Sequence, residues 1–202
     1  MLHYQFKHSV NHELLDRIRA SIVENVEKSR FFYDTYNDGN HNRGVFPDNR
    51  SSFAGFYPKE NAELIDMVFP VDDPYLKSGV FTVYFSYGKP DTYMTIHKDM
   101  MRRCAINFNL LGCDGCEVHH YHSKSGETGG VLQLDDAVSV EHHTLTDSNI
   151  VIMDTKTHHA IPQEFLKNRD CYLLSYGWYT HDIAFSMANV VERLKHHGLL
   201  ML

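Results

Sequence analysis

The chain has 202 residues, which is long enough for one domain with a sizeable buried core. Its hydrophobic share of 43% and charged share of 22% are typical of an ordinary soluble globular protein. A formal net charge of −7 argues against a surface that coats nucleic acid, since phosphate binding relies on clustered Lys and Arg. No apolar run approaches the roughly 18–20 residues of a membrane span, and the N-terminus lacks the layout of a signal peptide, so we expect a cytoplasmic setting.

The N-terminal part, residues 1–78, predicts helices and loops that support the rest of the chain. Residues 11–28 place apolar side chains at helical spacing, and Asn11 suits the N-cap position. A stretch rich in Asn, Asp, Gly, Ser and Arg follows and indicates a long loop. A short helix is expected after Asn61, and Pro70 would end it.

From about residue 79 the pattern changes to strands. They are short, separated by turn signals and uninterrupted by helices, which favours an antiparallel sandwich or barrel. About eight strands are expected for a jelly roll, so we predict a mainly β fold, a double-stranded β-helix (jelly roll), over residues 79–180. The predicted strands are 80–87, 93–97, 104–111, 117–122, 131–134, 138–145, 149–153 and 171–178.

The end of the chain predicts one more helix, over residues 185–198. Ser186 is placed to cap it and Gly198 to end it. We expect the N- and C-terminal α-helices to brace the sheets from outside, so that residues 1–202 form a single domain. The oligomeric state has no signal in the sequence.

Four cysteines are too few for a disulfide framework in a chain of this length, so reduced thiols are expected. Cys113 and Cys116 form a lone CxxC. The Asp114-Gly115 pair between them favours a hairpin turn over a zinc site.

The tripeptide His97-Lys98-Asp99 carries the strongest chemical signal. Strand alternation places Tyr93, Thr95, His97 and Asp99 on one face. Such a polar face is costly inside a barrel unless something binds there. Two neutral imidazoles and one carboxylate on one side of a metal are the ligand set of non-heme Fe(II) oxygenases.

A further histidine ligand is expected beyond Met153, where a buried strand is predicted to enter a turn. His158 and His159 point to opposite sides, so only one of them is expected to bind. The apolar residues after His159 would return the chain to the core, which favours His159 over His158. Other histidines that could supply a ligand are His119, His120, His122, His142 and His143.

Arg169 opens the last predicted strand, and alternation gives it Cys171, Leu173 and Ser175 as inward companions. An arginine at the mouth of an apolar-lined barrel is costly alone. The cost of burying its charge is offset if its guanidinium makes two hydrogen bonds to a carboxylate.

This set resembles the Fe(II)/2-oxoglutarate-dependent dioxygenase family, and within it the small oxygenase-like proteins of phages and bacteria. The match consists of the HxD motif at His97 and Asp99, a distal His159 and Arg169 ten residues beyond it, and it covers roughly residues 80–180. The resemblance implies Fe(II) held by His97, Asp99 and His159. It also implies 2-oxoglutarate as cosubstrate, with its far carboxylate on Arg169.

The resemblance further implies a hydroxylase that forms succinate and CO2 while oxidising a substrate. Tyr93 and Thr95 on the ligand face, and Asn107 on the next strand, are expected to contact cosubstrate or substrate, with structural roles as the alternative. A small molecule, an amino acid or a peptide side chain suits as substrate, whereas the acidic charge disfavours duplex nucleic acid.

Two other classes of protein fit part of the pattern. A cupin-like metal enzyme that does not use 2-oxoglutarate would keep the metal ligands and have no need of Arg169. A non-catalytic jelly roll, such as a sugar-binding or virion-associated protein, would keep the fold without the metal. Metal content and 2-oxoglutarate binding separate the three.

Overall fold

A computed structural model of the chain describes residues 1–20, 54–56, 58–86, 94–99, 102–126 and 128–201. The strands are β1 (His3–Gln5), β2 (Ala54–Phe56), β3 (Val80–Ser86), β4 (Ile96–His97), β5 (Cys104–Leu111), β6 (Glu117–Ser123), β7 (Val131–Leu132), β8 (Ala137–Thr144), β9 (Val151–Asp154), β10 (His158–Ala160) and β11 (Cys171–Gly177). The α-helices are α1 (His12–Ala20), α2 (Asn61–Val68), α3 (Gln163–Leu166) and α4 (Met187–His196).

The described strands form two antiparallel sheets. One has six strands in the order β1-β9-β5-β11-β3-β2, and the other has five in the order β7-β4-β10-β6-β8. The chain crosses repeatedly between the sheets, for example from β3 to β4, from β5 to β6 and from β10 to β11. This mainly β architecture with few helices is consistent with the predicted jelly roll.

Strand β11 illustrates how alternation divides the apolar interior. Cys171 and Leu173 join a cluster to which both sheets contribute, and which therefore lies between them. Leu174, Tyr176 and Trp178 point the other way, into the larger core that also receives side chains from α1, α2 and α4. The sequence predicted this division of the strand.

Helices α1, α2 and α4 cover the outer side of the six-stranded sheet, whereas α3 packs Leu166 into the cluster between the sheets. Helix α1 begins after Asn11, whose Oδ1 accepts a hydrogen bond of 3.2 Å from the Leu14 amide, and this confirms the predicted cap. The rest of that predicted helix, to residue 28, lies outside the described residues. Helix α4 has Ser186 at its N-cap position and is followed by Gly198, whose φ of +68° suits a glycine that ends a helix. Within the described ranges, no helix has both the length and the apolar character needed to cross a membrane.

Several strands differ from the predicted ones. Residues 158–160 form β10, not a turn, because they pair on both sides with β4 and β6. Leu134 lies in a 3-10 helix beyond β7. Strands β1 and β2 have three residues each, too few to show an alternation of polar and apolar side chains.

All four cysteines are free and buried, as expected. The CxxC does form a turn, in which the Cys116 amide donates to the Cys113 carbonyl at 2.9 Å and Gly115 has a φ of +77°. The hairpin prediction is wrong, however. The two strands that this turn joins, β5 and β6, belong to different sheets.

Candidate metal centre

Three side chains converge between the sheets, and we name His97, Asp99 and His159 the inner triad. Strands β4 and β10 are neighbours, with His97 directly opposite His159. Asp99 Oδ1 lies 3.6 Å from His97 Nε2 and 3.9 Å from His159 Nε2. The three ligand atoms all lie within 4.8 Å of one another. These separations are slightly wider than the roughly 3 Å between adjacent ligands of a metal bound at about 2.1 Å.

The backbone fixes the orientation of both imidazoles. His97 Nδ1 lies 2.8 Å from the Thr95 carbonyl oxygen, and His159 Nδ1 lies 3.0 Å from the Thr157 carbonyl oxygen. A carbonyl oxygen can only accept, so we infer that each Nδ1 carries the proton. Each Nε2 then directs a lone pair towards Asp99, as a metal ligand requires.

Burial keeps His159 neutral. It lowers the pKa of this imidazole to about 3, an effect that the neighbouring His97 strengthens and Asp99 opposes. A protonated imidazole cannot bind a metal, so a low pKa suits a ligand.

Asp99 is held as a carboxylate with its two oxygens in different roles. Arg102 donates to Oδ2 from Nε at 2.9 Å and from Nη2 at 2.7 Å, while Oδ1 faces the imidazoles. Burial alone would raise the pKa of Asp99, but the Arg102 guanidinium outweighs it and holds the pKa of this carboxyl well below its usual range. The arrangement leaves one oxygen for a metal.

Arg102 itself is buried beside the triad. Its Nη1 donates to Ser175 Oγ at 2.7 Å, and its guanidinium lies 5.4 Å from the ring centre of Tyr84 and 5.6 Å from that of Tyr179. Gly177 makes room for it, since a Cβ there would stand 2.5 Å from Arg102 Cδ. No sequence pattern assigned Arg102 a function. Its place three residues after Asp99 was the available signal.

The loop after β4 is tied to the loop before β10. The Asp99 amide donates to the Thr155 carbonyl at 3.0 Å, and Lys156 Nζ donates to the Asp99 carbonyl at 2.7 Å. Thr155 Oγ1 donates in turn to the Arg102 carbonyl at 2.8 Å. The carboxylate and the distal histidine are therefore positioned by one bonded unit.

Two of the three predicted contact residues leave polar atoms without partners. Thr95 Oγ1 and Asn107 Oδ1 are buried and have no hydrogen-bond partner among the described residues. The Asn107 amide nitrogen lies 3.0 Å from Met153 Sδ, a weak acceptor. Buried acceptors of this kind suit a ligand that has yet to bind. The third predicted residue, Tyr93, lies outside the described residues.

The structure does not bring Arg169 into contact with the inner triad. Its Nη2 donates to the Asp114 carbonyl at 2.6 Å, and its Nη1 lies 3.7 Å from Cys116 Sγ. Cys116 precedes His120 by four residues, and His120 is opposite His159 in the sheet. At roughly 3.3 Å per residue, Arg169 is therefore offset from the triad by about 13 Å along the strand.

The other histidines raised by the sequence stand apart from the inner triad. His158 points away from His159, and its Nε2 lies 2.8 Å from the Gly129 carbonyl oxygen. His120 and His143 are buried beyond His159. The ring centre of His120 lies 6.2 Å from that of His159 and 5.9 Å from that of His143. Burial lowers the pKa of His120 to about 4 and that of His143 well below its usual value, so both rings are neutral. Neither belongs to a metal-binding group among the described residues.

No protein-family profile and no curated protein sequence matches the chain. Solved structures that resemble it include a prolyl-4-hydroxylase of Pseudomonas putida, with a TM-score of 0.45 and 13% identity over 89% of this chain and 93% of that chain. SnoK, a non-heme alpha ketoglutarate dependent carbocyclase of nogalamycin biosynthesis, has a TM-score of 0.47 and 10% identity, and the match covers 95% of this chain and 86% of SnoK. EvdO2 from Micromonospora carbonacea, in complex with 2-oxoglutarate, has a TM-score of 0.32 and 16% identity, and the match covers 64% of this chain and 70% of EvdO2. At these values the likeness carries neither a family nor an activity over to this chain, and the case for a function rests on its own residues.

Proposed function

We propose that this protein is a non-heme Fe(II)- and 2-oxoglutarate-dependent oxygenase, and specifically a hydroxylase. The observation that carries the proposal is the inner triad, in which two imidazole nitrogens and one carboxylate oxygen converge between the sheets. With Fe(II) and 2-oxoglutarate bound, the site would couple the conversion of 2-oxoglutarate and oxygen into succinate and CO2 to the oxidation of a substrate.

The residues of the chain would hold and orient the iron. His97 and His159 present their Nε2 atoms because backbone carbonyls hold both Nδ1 protons. Asp99 would bind through Oδ1 alone, since Arg102 occupies Oδ2. A facial set of three ligands leaves the opposite positions open for other groups.

The cosubstrate would extend from the triad into the space between the sheets, towards Arg169. Thr95 Oγ1, which has no hydrogen-bond partner among the described residues, would donate to one of the cosubstrate's oxygens, and the Asn107 side chain would border the same course. Arg169 Nη1 lies 3.7 Å from the thiol of Cys116, a weak acceptor that a carboxylate would replace. Arg169 therefore remains our proposed anchor for the far carboxylate, with Tyr93 as a further proposed contact.

One observation favours a different enzyme, a cupin-like metal enzyme that does not use 2-oxoglutarate. Arg102, the arginine in contact with the triad, is committed to Asp99 and Ser175, and Arg169 lies at a distance from the triad. On this alternative Arg169 only ties the end of β11 to the turn before β6. The oxygenase requires it for affinity.

Titration of 2-oxoglutarate into the anaerobic Fe(II) protein separates the two functions. In the oxygenase, Arg169→Ala weakens 2-oxoglutarate binding by about thirtyfold, because a hydrogen bond between charged groups contributes about 2 kcal/mol. Iron binding is unchanged, since Arg169 does not touch the triad. Lys167→Ala, two residues away and exposed, is the matched control. Equal affinities in the wild type and both variants would exclude Arg169 as the anchor, and no detectable 2-oxoglutarate binding by the wild type would favour the metal enzyme without 2-oxoglutarate.

A further inference from the structure

A second group of two histidines and one carboxylate lies on the opposite side of the five-stranded sheet, and we name it the outer triad. Glu117 and His119 are two residues apart on β6 and share a face. His142 on β8 is directly opposite His119. The three ligand atoms lie within 4.8 Å of one another, the same limit that the inner triad meets.

His119 is oriented as a metal ligand would be. Its Nε2 lies 2.7 Å from Glu117 Oε2, and its Nδ1 lies 3.1 Å from Ser139 Oγ. A ligating histidine commonly uses one nitrogen for the metal and donates the N–H of the other to a fixed acceptor. Ser139 Oγ is placed to act as that acceptor, and in that tautomer Nε2 is left for a metal beside the carboxylate.

The side chains of Glu117 and His142 can move into position to complete a metal site with His119. The rings of His119 and His142 already stack, with centres 5.1 Å apart and planes 24° apart. His142 is exposed, so its ring can turn towards Nε2 of His119 without disturbing the core. Glu117 Oε2 and His119 Nε2 lie 2.7 Å apart, and both atoms are of kinds that bind metals, so a small movement of the Glu117 side chain would admit a cation between them.

We propose that Glu117, His119 and His142 form a surface site for a divalent cation of the Zn²⁺ class, separate from the inner triad. Imidazole nitrogen and carboxylate oxygen are ligands that Zn²⁺ accepts, and partial exposure leaves its fourth position to water. The site joins β6 to β8, the last strand in the order of its sheet. Zn²⁺ would therefore fasten this edge strand to its neighbour. The proposal does not depend on the oxygenase reaction.

The probe is Zn²⁺ alone, in equilibrium dialysis followed by elemental analysis. The parent is Asp99→Asn, because the loss of that carboxylate weakens the inner triad and leaves the outer one to dominate. This parent is expected to bind about one equivalent of Zn²⁺. Adding His142→Ala should weaken Zn²⁺ binding by more than about 100-fold, since even the loss of an outer hydrogen-bonding partner costs 10–100-fold.

The matched control is His122→Ala on the same parent. His122 is also an exposed histidine of β6 and belongs to neither triad. It should leave Zn²⁺ affinity unchanged, and Zn²⁺ should raise the midpoint of thermal unfolding in the parent and in this control but not in the His142→Ala variant. Circular dichroism of each variant without metal checks that the fold is kept. The proposal is overturned if the parent binds no Zn²⁺, or if the His142→Ala and His122→Ala variants bind it equally well.

Discussion

The inner and outer triads present the same donor groups in different surroundings. Both use two imidazoles and one carboxylate, and both are built from neighbouring strands of the five-stranded sheet. The inner triad is largely buried, its imidazole protons are held by backbone carbonyls, and its carboxylate is paired with Arg102. The outer triad is partly exposed, and its carboxylate is paired with one of its own histidines.

Because the two triads have the same kinds of ligand, what distinguishes a candidate reaction centre from a simple cation site is the burial and the hydrogen-bond partners of those ligands. The inner carboxylate keeps one oxygen directed at the metal position because an arginine holds the other. Burial also keeps water from competing for positions that a cosubstrate would use. The outer triad lacks a buried arginine among the described residues and faces solvent, so we assign it only cation binding.

The largest expected effect comes from removing one carboxylate from each triad in turn. Asp99→Asn should weaken Fe(II) binding by more than about 100-fold, because it removes a ligand and not merely an outer partner. Glu117→Gln should leave Fe(II) binding at the inner triad unchanged. Anaerobic Fe(II) titration of the two variants checks this, and the comparison between the triads fails if both variants lose Fe(II) equally.

A smaller effect is expected on acid stability, which the buried histidines near the inner triad should control. The pKa values of His159 and His120, about 3 and about 4, lie below the 6.5 of an unfolded histidine. The unfolded chain therefore binds more protons below pH 6.5, and stability falls as the pH drops through that value. The loss should be up to about 1.4 kcal/mol per pH unit for each imidazole.

Urea unfolding of the metal-free protein between about pH 7 and pH 5 measures this slope. His120→Leu should make the slope shallower, since it removes one buried imidazole that the unfolded state can protonate. His122→Gln, at an exposed position, should leave the slope as it is. A stability that is flat or rises towards acid pH would show that the buried histidines are not neutral.

The smallest expected effect is at Thr95. Its buried hydroxyl has no partner among the described residues, so Thr95→Val should change the free energy of unfolding by less than about 1 kcal/mol, in the stabilising direction. If this hydroxyl contacts the cosubstrate, the same variant should bind 2-oxoglutarate more weakly. Urea unfolding and a 2-oxoglutarate titration on one preparation give both numbers, and a marked loss of stability would mean that the hydroxyl already has a structural partner.

Sequence patterns predicted the parts of the site that depend on strand alternation. The shared face of His97 and Asp99, and the expectation that only one of His158 and His159 lies beside them, follow from a side-chain period of two. The apolar residues after His159 correctly favoured this residue over His158. The bounds of β5, Cys104–Leu111, were also predicted, because basic residues precede and a glycine follows a run that is mostly apolar.

What the sequence did not predict depends on contacts between distant segments. Arg102 lies in a turn with no periodicity, and its partner Ser175 is 73 residues away. The outer triad could be predicted only if the pairing of His119 on β6 with His142 on β8 were known. That pairing depends on a shift in register between His120 and Tyr121, which the sequence does not reveal. The closeness of Arg169 to Asp114 likewise depends on how β11 meets the turn between the sheets.

The central claim is that the inner triad supports 2-oxoglutarate turnover, and succinate formation tests it most directly. Purified protein supplied with Fe(II), ascorbate, oxygen and 2-oxoglutarate should form succinate slowly even without its substrate. Asp99→Asn should abolish this, and Glu117→Gln should leave it unchanged. Absence of both succinate and 2-oxoglutarate binding from iron-loaded wild-type protein would contradict the account.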